Sequence, residues 1–310
     1  MKSHRGHETY LSLLLAVSIL AGWHALREPL VLAARDDQYT HILLILPVGL
    51  AMILPHWRTL RAMATLNFRA GVAVLSVALL IAGLSVGWST RIPGDVLLSI
   101  RTFALVLWWI GSFVLCFGYR CARSVLFPLL FLFGLVPHPQ SALNAVVVLL
   151  QQGSAWTASL FFLACGVPVS QDGVIVTIPG LTVVVAEECS SIRSSSMLLV
   201  TTIVLAYFLL RSRWRRAVVI GLALPLSVAK NGLRVFSIAM LATRVDPAYL
   251  TGRLHHQGGI VFFAIAVFAM LGVFVILRRG ENRLLRSVPI PAKSDDSDGQ
   301  SEAPPAPTES

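Results

Sequence analysis

Polar and apolar positions in this chain are segregated into long blocks. Apolar runs occupy 10–33, 39–56, 70–88, 99–118, 122–137, 141–165, 190–210, 217–243 and 257–277. Many come near the ~20 residues that a helix needs to cross a bilayer. The pattern predicts an all-α polytopic membrane protein. One connection breaks the helical rhythm. Between 166 and 191, Val174, Val176 and Ile178 alternate with Ile175, Thr177 and Pro179, and Val183 to Val185 follow a Pro-Gly pair. That alternation predicts a short extracytoplasmic β-hairpin.

The arginines and lysines turn the block pattern into a topology. Fifteen of them fall at 2–5, 58–69, 120–123, 211–216 and 278–286, against six at the opposite boundaries (Arg27, Arg35, Arg91, Arg101, Arg244 and Arg253). The richer set marks the cytoplasm, which puts both termini inside. Nine crossings would place the arginines of 211–216 outside, so one block must not cross. The block 141–165 is the best candidate, because Gln151, Gln152, Gly153 and Ser154 stand at its middle. Unpaired amides are costly in hydrocarbon. The expectation is about eight transmembrane helices plus one interfacial or re-entrant helix. Residues 1–279 then form the integral membrane domain. Residues 280–310, ending in a run rich in Pro, Ser and acid, form a cytoplasmic disordered tail.

Composition agrees with this and excludes other classes. The chain has 310 residues, of which 56% are hydrophobic and 13% charged, with a mean hydropathy of +0.76. A soluble domain carries about 25% charge, so a soluble enzyme, a disordered chain and a fibrous protein are all excluded. The net charge of +10 does not indicate nucleic acid, because the basic residues sit in clusters between apolar blocks. The N-terminus is read as a retained first helix, since no convincing cleavage site follows it.

Three segments carry candidate chemistry. In 186–198, Cys189 lies near a predicted helix start, capped by Ser190 or Ser191. Free N–H groups and the helix dipole there favour a thiolate. Arg193, four residues on, adds positive charge, whereas Glu187 and Glu188 oppose it unless one pairs with that arginine. In 224–241, Lys230, Asn231 and Arg234 interrupt an apolar span. Ionisable residues inside a span face the bundle interior or a cavity, and here they either serve a site or pair with Glu187 or Glu188. In 253–263, His255 and His256 stand at the entrance of the last span. The other cysteines, Cys116, Cys121 and Cys165, read as small apolar packing residues. No disulfide framework and no metal-ligand spacing is present in the sequence.

A thiolate, an imidazole and a guanidinium drawn from three consecutive spans suit acyl transfer. The thiolate attacks an amide carbonyl, the imidazole protonates the departing amine and the guanidinium holds the oxyanion. These residues alone do not choose between His255 and His256, or between Arg234 and Arg193.

At this point the sequence resembles the exosortase/archaeosortase family. Cys189-Ser190-Ser191-Ile192-Arg193-Ser194 resembles its CSGxRS motif, Asn231-Gly232-Leu233-Arg234 its NxxR motif, and His255 followed by Gly259 its HxxxG motif. Tyr39-Thr40-His41 and the segment from Phe127-Pro128-Leu129 to Pro137 are similar to two earlier family signatures. The likeness covers about 39 to 275. Ser191 stands where the motif has glycine, Glu188 where a small residue is common, and Ile260 where an aromatic is frequent.

The resemblance implies a membrane-embedded cysteine transpeptidase, with Cys189 as nucleophile, Arg234 as transition-state stabiliser and His255 as general acid/base. Arg193, Asn231, His256 and Glu187 would support them. It implies no cofactor and no metal. Its substrates would be exported proteins carrying a C-terminal transmembrane sorting signal of the Pro-Glu-Pro type. The setting would be the bacterial inner membrane, with the site on the extracytoplasmic side. The rival class is a non-enzymatic transporter or polysaccharide-export assembly factor that uses Lys230 and Arg234 to bind an anion. A second rival is a protease that only hydrolyses. Motif recognised, acceptor and oligomeric state are not legible.

Overall fold

The computed structural model describes residues 2–185, 192–250 and 259–286. Eleven helices occur among the described residues: α1 (Lys2–Ala21), α2 (Trp23–Arg35), α3 (Ile42–Ile53), α4 (Trp57–Met63), α5 (Phe68–Gly87), α6 (Gly94–Ser124), α7 (Leu126–Phe131), α8 (Gln140–Ala164), α9 (Ile192–Leu209), α10 (Arg213–Arg244) and α11 (Gly259–Arg286). Seven helical stretches, α8 among them, are long and apolar enough to cross a membrane, or eight if the bent pair α1/α2 is one span. The expected all-α polytopic architecture is present.

The first apolar block is not one straight helix. It breaks at Gly22, and α1 and α2 meet at 71°. A methyl group on Gly22 would stand 2.7 Å from the carbonyl of Ser18. The arms are fastened separately to α6: the indole N–H of Trp109 donates to Ser18 Oγ at 2.9 Å, and Thr102 Oγ1 donates to the carbonyl of Ala25 at 3.1 Å.

The helices α5 and α6 pack antiparallel and almost bare of polar contacts. Gly71 faces the backbone of Leu115, and Gly111 faces Leu75. Small residues bring two backbones together where lipid supplies no hydrophobic drive for helices to associate. Near its end α6 kinks at Gly118, whose φ of 85° is left-handed. Its neighbours Leu115 and Phe117 offer carbonyls to the N–H groups of Asn67 and Thr65. That exchange stitches the α4–α5 link to the kink.

The block 122–137 folds in an unexpected way. Its helix α7 continues as a 3-10 turn, Leu132–Leu135, and then runs extended to Pro139. The helical part, Leu126–Leu135, is apolar but shorter than the seven stretches that could each cross a membrane. The stretch lies antiparallel to α3: Leu132 reaches Gly49, Gly134 reaches Ile45, and Tyr39 donates its hydroxyl to the carbonyl of His138 at 3.1 Å.

The helix α8, expected to be interfacial or re-entrant, is one unbroken helix, so the pair of half-helices is excluded. Its first N–H, of Gln140, donates to Asp95 at the start of α6 (2.8 Å), and Ser99 donates to the carbonyl of Pro137 (2.7 Å). Its second half packs on the later part of α10: Phe161 and Phe162 meet Phe236 with ring centroids 5.8 and 5.0 Å apart. The starts of α9 and α3 are tied together by Arg193 and Asp37 (2.7 Å), and the start of α9 meets α10 at Ser227 and Lys230. Gly153 beside Val228, Thr157 beside Gly232 and Phe162 beside Phe236 show that α8 runs parallel to α10 over this stretch. At the middle of α8 Gln151 donates to the carbonyl of Val185 at 2.9 Å and Gly153 abuts Val228, whereas Gln152 is exposed.

The expected hairpin is a three-stranded antiparallel sheet, β1 (Ser170–Asp172), β2 (Ile175–Ile178) and β3 (Leu181–Val184), in the order β1-β2-β3. The alternation was legible for β2. The short, exposed β1 carries no such signal. Pro179 and Gly180 (φ 82°) join β2 to β3, with the residues a type II turn prefers. Val176, Ile178 and Val185 are buried against Ala155, Ala158 and Phe162 of α8 and Val235 and Ala239 of α10.

At the other end, Glu281 of α11 accepts from the N–H groups of Ser212 (2.7 Å) and Arg211 (3.2 Å), capping the start of α10. The helix therefore runs past the boundary expected at 279. Residues 287–310, the rest of the expected tail, lie outside the described residues.

Candidate active site

The site is organised along one stripe of α10. Ser227, Lys230, Asn231 and Arg234 recur at the spacing of a single helix face. All four are buried, with Lys230 6%, Asn231 1% and Arg234 8% exposed. The helix has 32 residues, about 48 Å, and these polar groups stand in its central and later turns.

The first turn of α9 covers the stripe. Ser195 and Ser227 share a hydrogen bond of 2.7 Å, and Lys230 Nζ donates to Ser194 Oγ at 2.6 Å. The structure forms no ion pair at Lys230 among the described residues; its partner is a hydroxyl. The sequence suggested Glu187 or Glu188 as the partner of these cations, and both lie outside the described residues. Arg193 pairs with Asp37 of the 3-10 turn before α3, and both side chains are exposed. Such a pair contributes about 0–1 kcal/mol.

The far side of α10 is pressed onto α8. A methyl on Gly232 would stand 2.6 Å from Thr157 Cβ and 2.9 Å from the backbone nitrogen of Ala158. Only glycine permits that approach, and the approach fixes the rotation of the stripe. The start of α11 completes the arrangement. A Cβ on Gly259 would lie 4.0 Å from Arg234 Nη1.

A few buried polar atoms among the described residues lack a hydrogen-bond partner, Thr202 Oγ1 and His41 Nδ1 among them, and the Asn231 amide on the stripe is another. Its Nδ2 is buried and has no hydrogen-bond partner among the described residues. Leaving a buried donor unpaired costs about 1–3 kcal/mol.

The remaining expected site residues, Cys189, Glu187, His255 and His256, lie outside the described residues. The described ends of their segments reach the α10 stripe through Ser194 and Gly259. Cys116 and Cys121 are buried in α6, as expected for packing residues, but Cys165 is exposed in the turn after α8. Sequence reasoning missed Ser194, Asp37 and Gln151. Ser194 lies inside the quoted motif, so its position was signalled but its partner was not. Asp37 and Gln151 reach residues 156 and 34 positions away, and no local pattern announces such pairs.

Fold and site together define a multi-pass membrane protein with a donor-rich site beside its α9–α10–α11 helices. Residues 33–272 match the family model described as transmembrane exosortase, and the chain belongs to that family. Membership supports a membrane transpeptidase role in protein sorting. No curated protein and no solved structure matches the chain.

Proposed function

We propose that this protein cleaves exported proteins at a C-terminal transmembrane sorting signal, of the Pro-Glu-Pro type, through a thioacyl intermediate on Cys189. The thiolate adds to the scissile carbonyl carbon, and the carbonyl electron pair moves to oxygen. Arg234 donates to that oxyanion. Collapse restores the carbonyl, breaks the C–N bond and releases an amine that takes a proton from His255. An amine, another acceptor or water then attacks the thioester.

The observation that carries this reading is convergence on α10. The Ser194 end of the first motif binds Lys230 beside the second motif, and the glycine of the third motif stands at the guanidinium of Arg234. The described ends of segments far apart in sequence converge on one face of α10, and that convergence supports the reading. Arginine suits the task, because its fork of donors stays charged.

The proposed topology has eight crossings: the α1/α2 pair, α3 with α4, α5, α6, the 126–138 stretch, α9, α10 and α11. Here α8 stays at the outer face. This keeps all five basic clusters inside, together with both termini, and puts 165–191 and the substrate site outside. The protein then sits in the bacterial inner membrane, and the substrate helix enters laterally.

The test expresses wild type or Cys189→Ala with a C-terminally signalled protein encoded in the same genome, and follows its size on a gel. Wild type shortens it, and Cys189→Ala leaves it full length. Equal processing by both removes Cys189 as the nucleophile. A protein that works by transport or assembly tolerates Cys189→Ala.

A further inference from the structure

We propose that Asn231 is a catalytic residue, the second hydrogen-bond donor to the oxyanion beside Arg234. The inference rests on the acyl-transfer reading above and assigns a role that the reading leaves open.

The argument starts from the stripe on α10. Ser227 and Lys230 are engaged by Ser195 and Ser194 of α9. The Asn231 Nδ2 is not engaged: it is buried, the residue is 1% exposed, and no acceptor among the described residues reaches it. In a protein interior nearly every buried polar group is paired. An exception invites an explanation, and the neighbours supply one. Arg234 lies three residues on, along the same face. Gly232, between them, is locked against Thr157 and Ala158 of α8, so the donor is held on a helix that cannot easily rotate.

A held, unpaired donor beside a guanidinium is poised for a group that becomes strongly basic only during the reaction. The carbonyl oxygen of a bound peptide is a modest acceptor. Once the thiolate has added, that oxygen carries the displaced electron pair, and a neutral N–H bond to it becomes charge-assisted. Asn231 gives up no proton at any stage. When the C–N bond breaks, the electron pair returns to the carbonyl and the hydrogen bond weakens again. The gain is confined to the transition state, where it accelerates the reaction.

The lost pairing energy gives a signature that separates this role from a structural one. If Asn231 held the fold together, replacing it would loosen the protein. If it waits for the oxyanion, replacing it removes an unpaired buried donor, and that relief offsets the packing lost with the side chain.

The experiment uses the full-length chain in membranes with the same exported reporter, comparing wild type, Cys189→Ala, Asn231→Ala and Asn231→Asp. Each is also purified for its thermal midpoint. Removing one oxyanion donor lowers the rate by about 100- to 1000-fold. Asn231→Ala should therefore process the reporter that much more slowly, with a midpoint equal to wild type or higher. Asn231→Asp keeps the shape and lacks the donor, and should be as slow. Two results overturn the inference: Asn231→Ala within about threefold of wild type, well short of a lost donor, or a slow Asn231→Ala with a clearly lowered midpoint. If wild type processes nothing, or Cys189→Ala processes equally, the acyl-transfer reading itself falls and takes this inference with it. The Cys189 arm therefore tells the two failures apart.

Discussion

Two helix pairs in this molecule solve the same problem in opposite ways. The pair α5–α6 is held by close approach: Gly71 lies on the backbone of Leu115 and Gly111 on Leu75. The pair α9–α10 adds to its apolar contact (Ala206 with Val219 and Ala223) hydrogen bonds between polar groups, Ser195 to Ser227 and Lys230 to Ser194, with Asn231 and Arg234 beside them. Dispersion between small residues is sufficient to join helices in lipid. The polar solution is costly, because each buried group needs a partner and a buried cation needs compensation. That this chain can pack helices by glycine contacts and still buries Lys230, Asn231 and Arg234 in one face supports the proposal that they serve chemistry rather than assembly.

The comparison can be broken most directly at Arg234. If the α9–α10 side is functional, Arg234→Lys should lower reporter processing about 100-fold or more, because a point charge does not replace the donor fork. Normal processing by that variant would reduce the stripe to a packing device.

The glycines give the next effect. Gly71→Ala and Gly232→Ala both push a methyl into backbone, at 2.4 Å from Leu115 Cα and 2.9 Å from the Ala158 nitrogen. Each should destabilise by about 1–3 kcal/mol, read as a lower unfolding midpoint. They should differ in activity. Gly71→Ala leaves the rate per folded molecule unchanged. Gly232→Ala also slows it, since it displaces the helix that carries Asn231 and Arg234, and small misplacements of catalytic groups are costly. Equal loss of activity in both would erase the distinction between the pairs.

The smallest effect is expected at the surface. Arg193→Ala removes the exposed pair with Asp37, which is worth about 0–1 kcal/mol and screened by salt. Its unfolding midpoint should move little at low salt and not at all at high salt. A large shift would place Arg193 with the functional stripe instead.

Much of this fold is written in the block pattern. Runs such as 70–88 and 217–243 are helices, 190–210 contains α9, and 99–118 is the body of the longer α6. Other features were not readable locally. The break at Gly22 is a single glycine in an unbroken apolar run. The stretch 126–138 is apolar like a span, yet its helix stops early, and its packing against α3 is decided by Gly49 and Gly134. The helix α8 accommodates Gln151 through the carbonyl of Val185 and Ser154 through its own backbone, while Gln152 is exposed, and so it needs no break.

The site divides in the same manner. Residue identity and motif spacing named Arg234, Asn231 and Arg193, and marked Cys189 and His255. They did not name the partner of any of them. The sequence by itself determined that the chain lives in a bilayer, which segments are helical and which side chains are too polar for their surroundings. Those are properties of composition and short-range period, set by the cost of exposing backbone and charge to lipid. Only the tertiary structure decided that Lys230 meets Ser194, that Arg193 meets Asp37, that Gly259 stands at Arg234 and that Asn231 is left with an unused donor. Such pairings depend on how helices rotate and slide against one another, and that is fixed by glycine contacts and hydrogen bonds between residues remote in sequence.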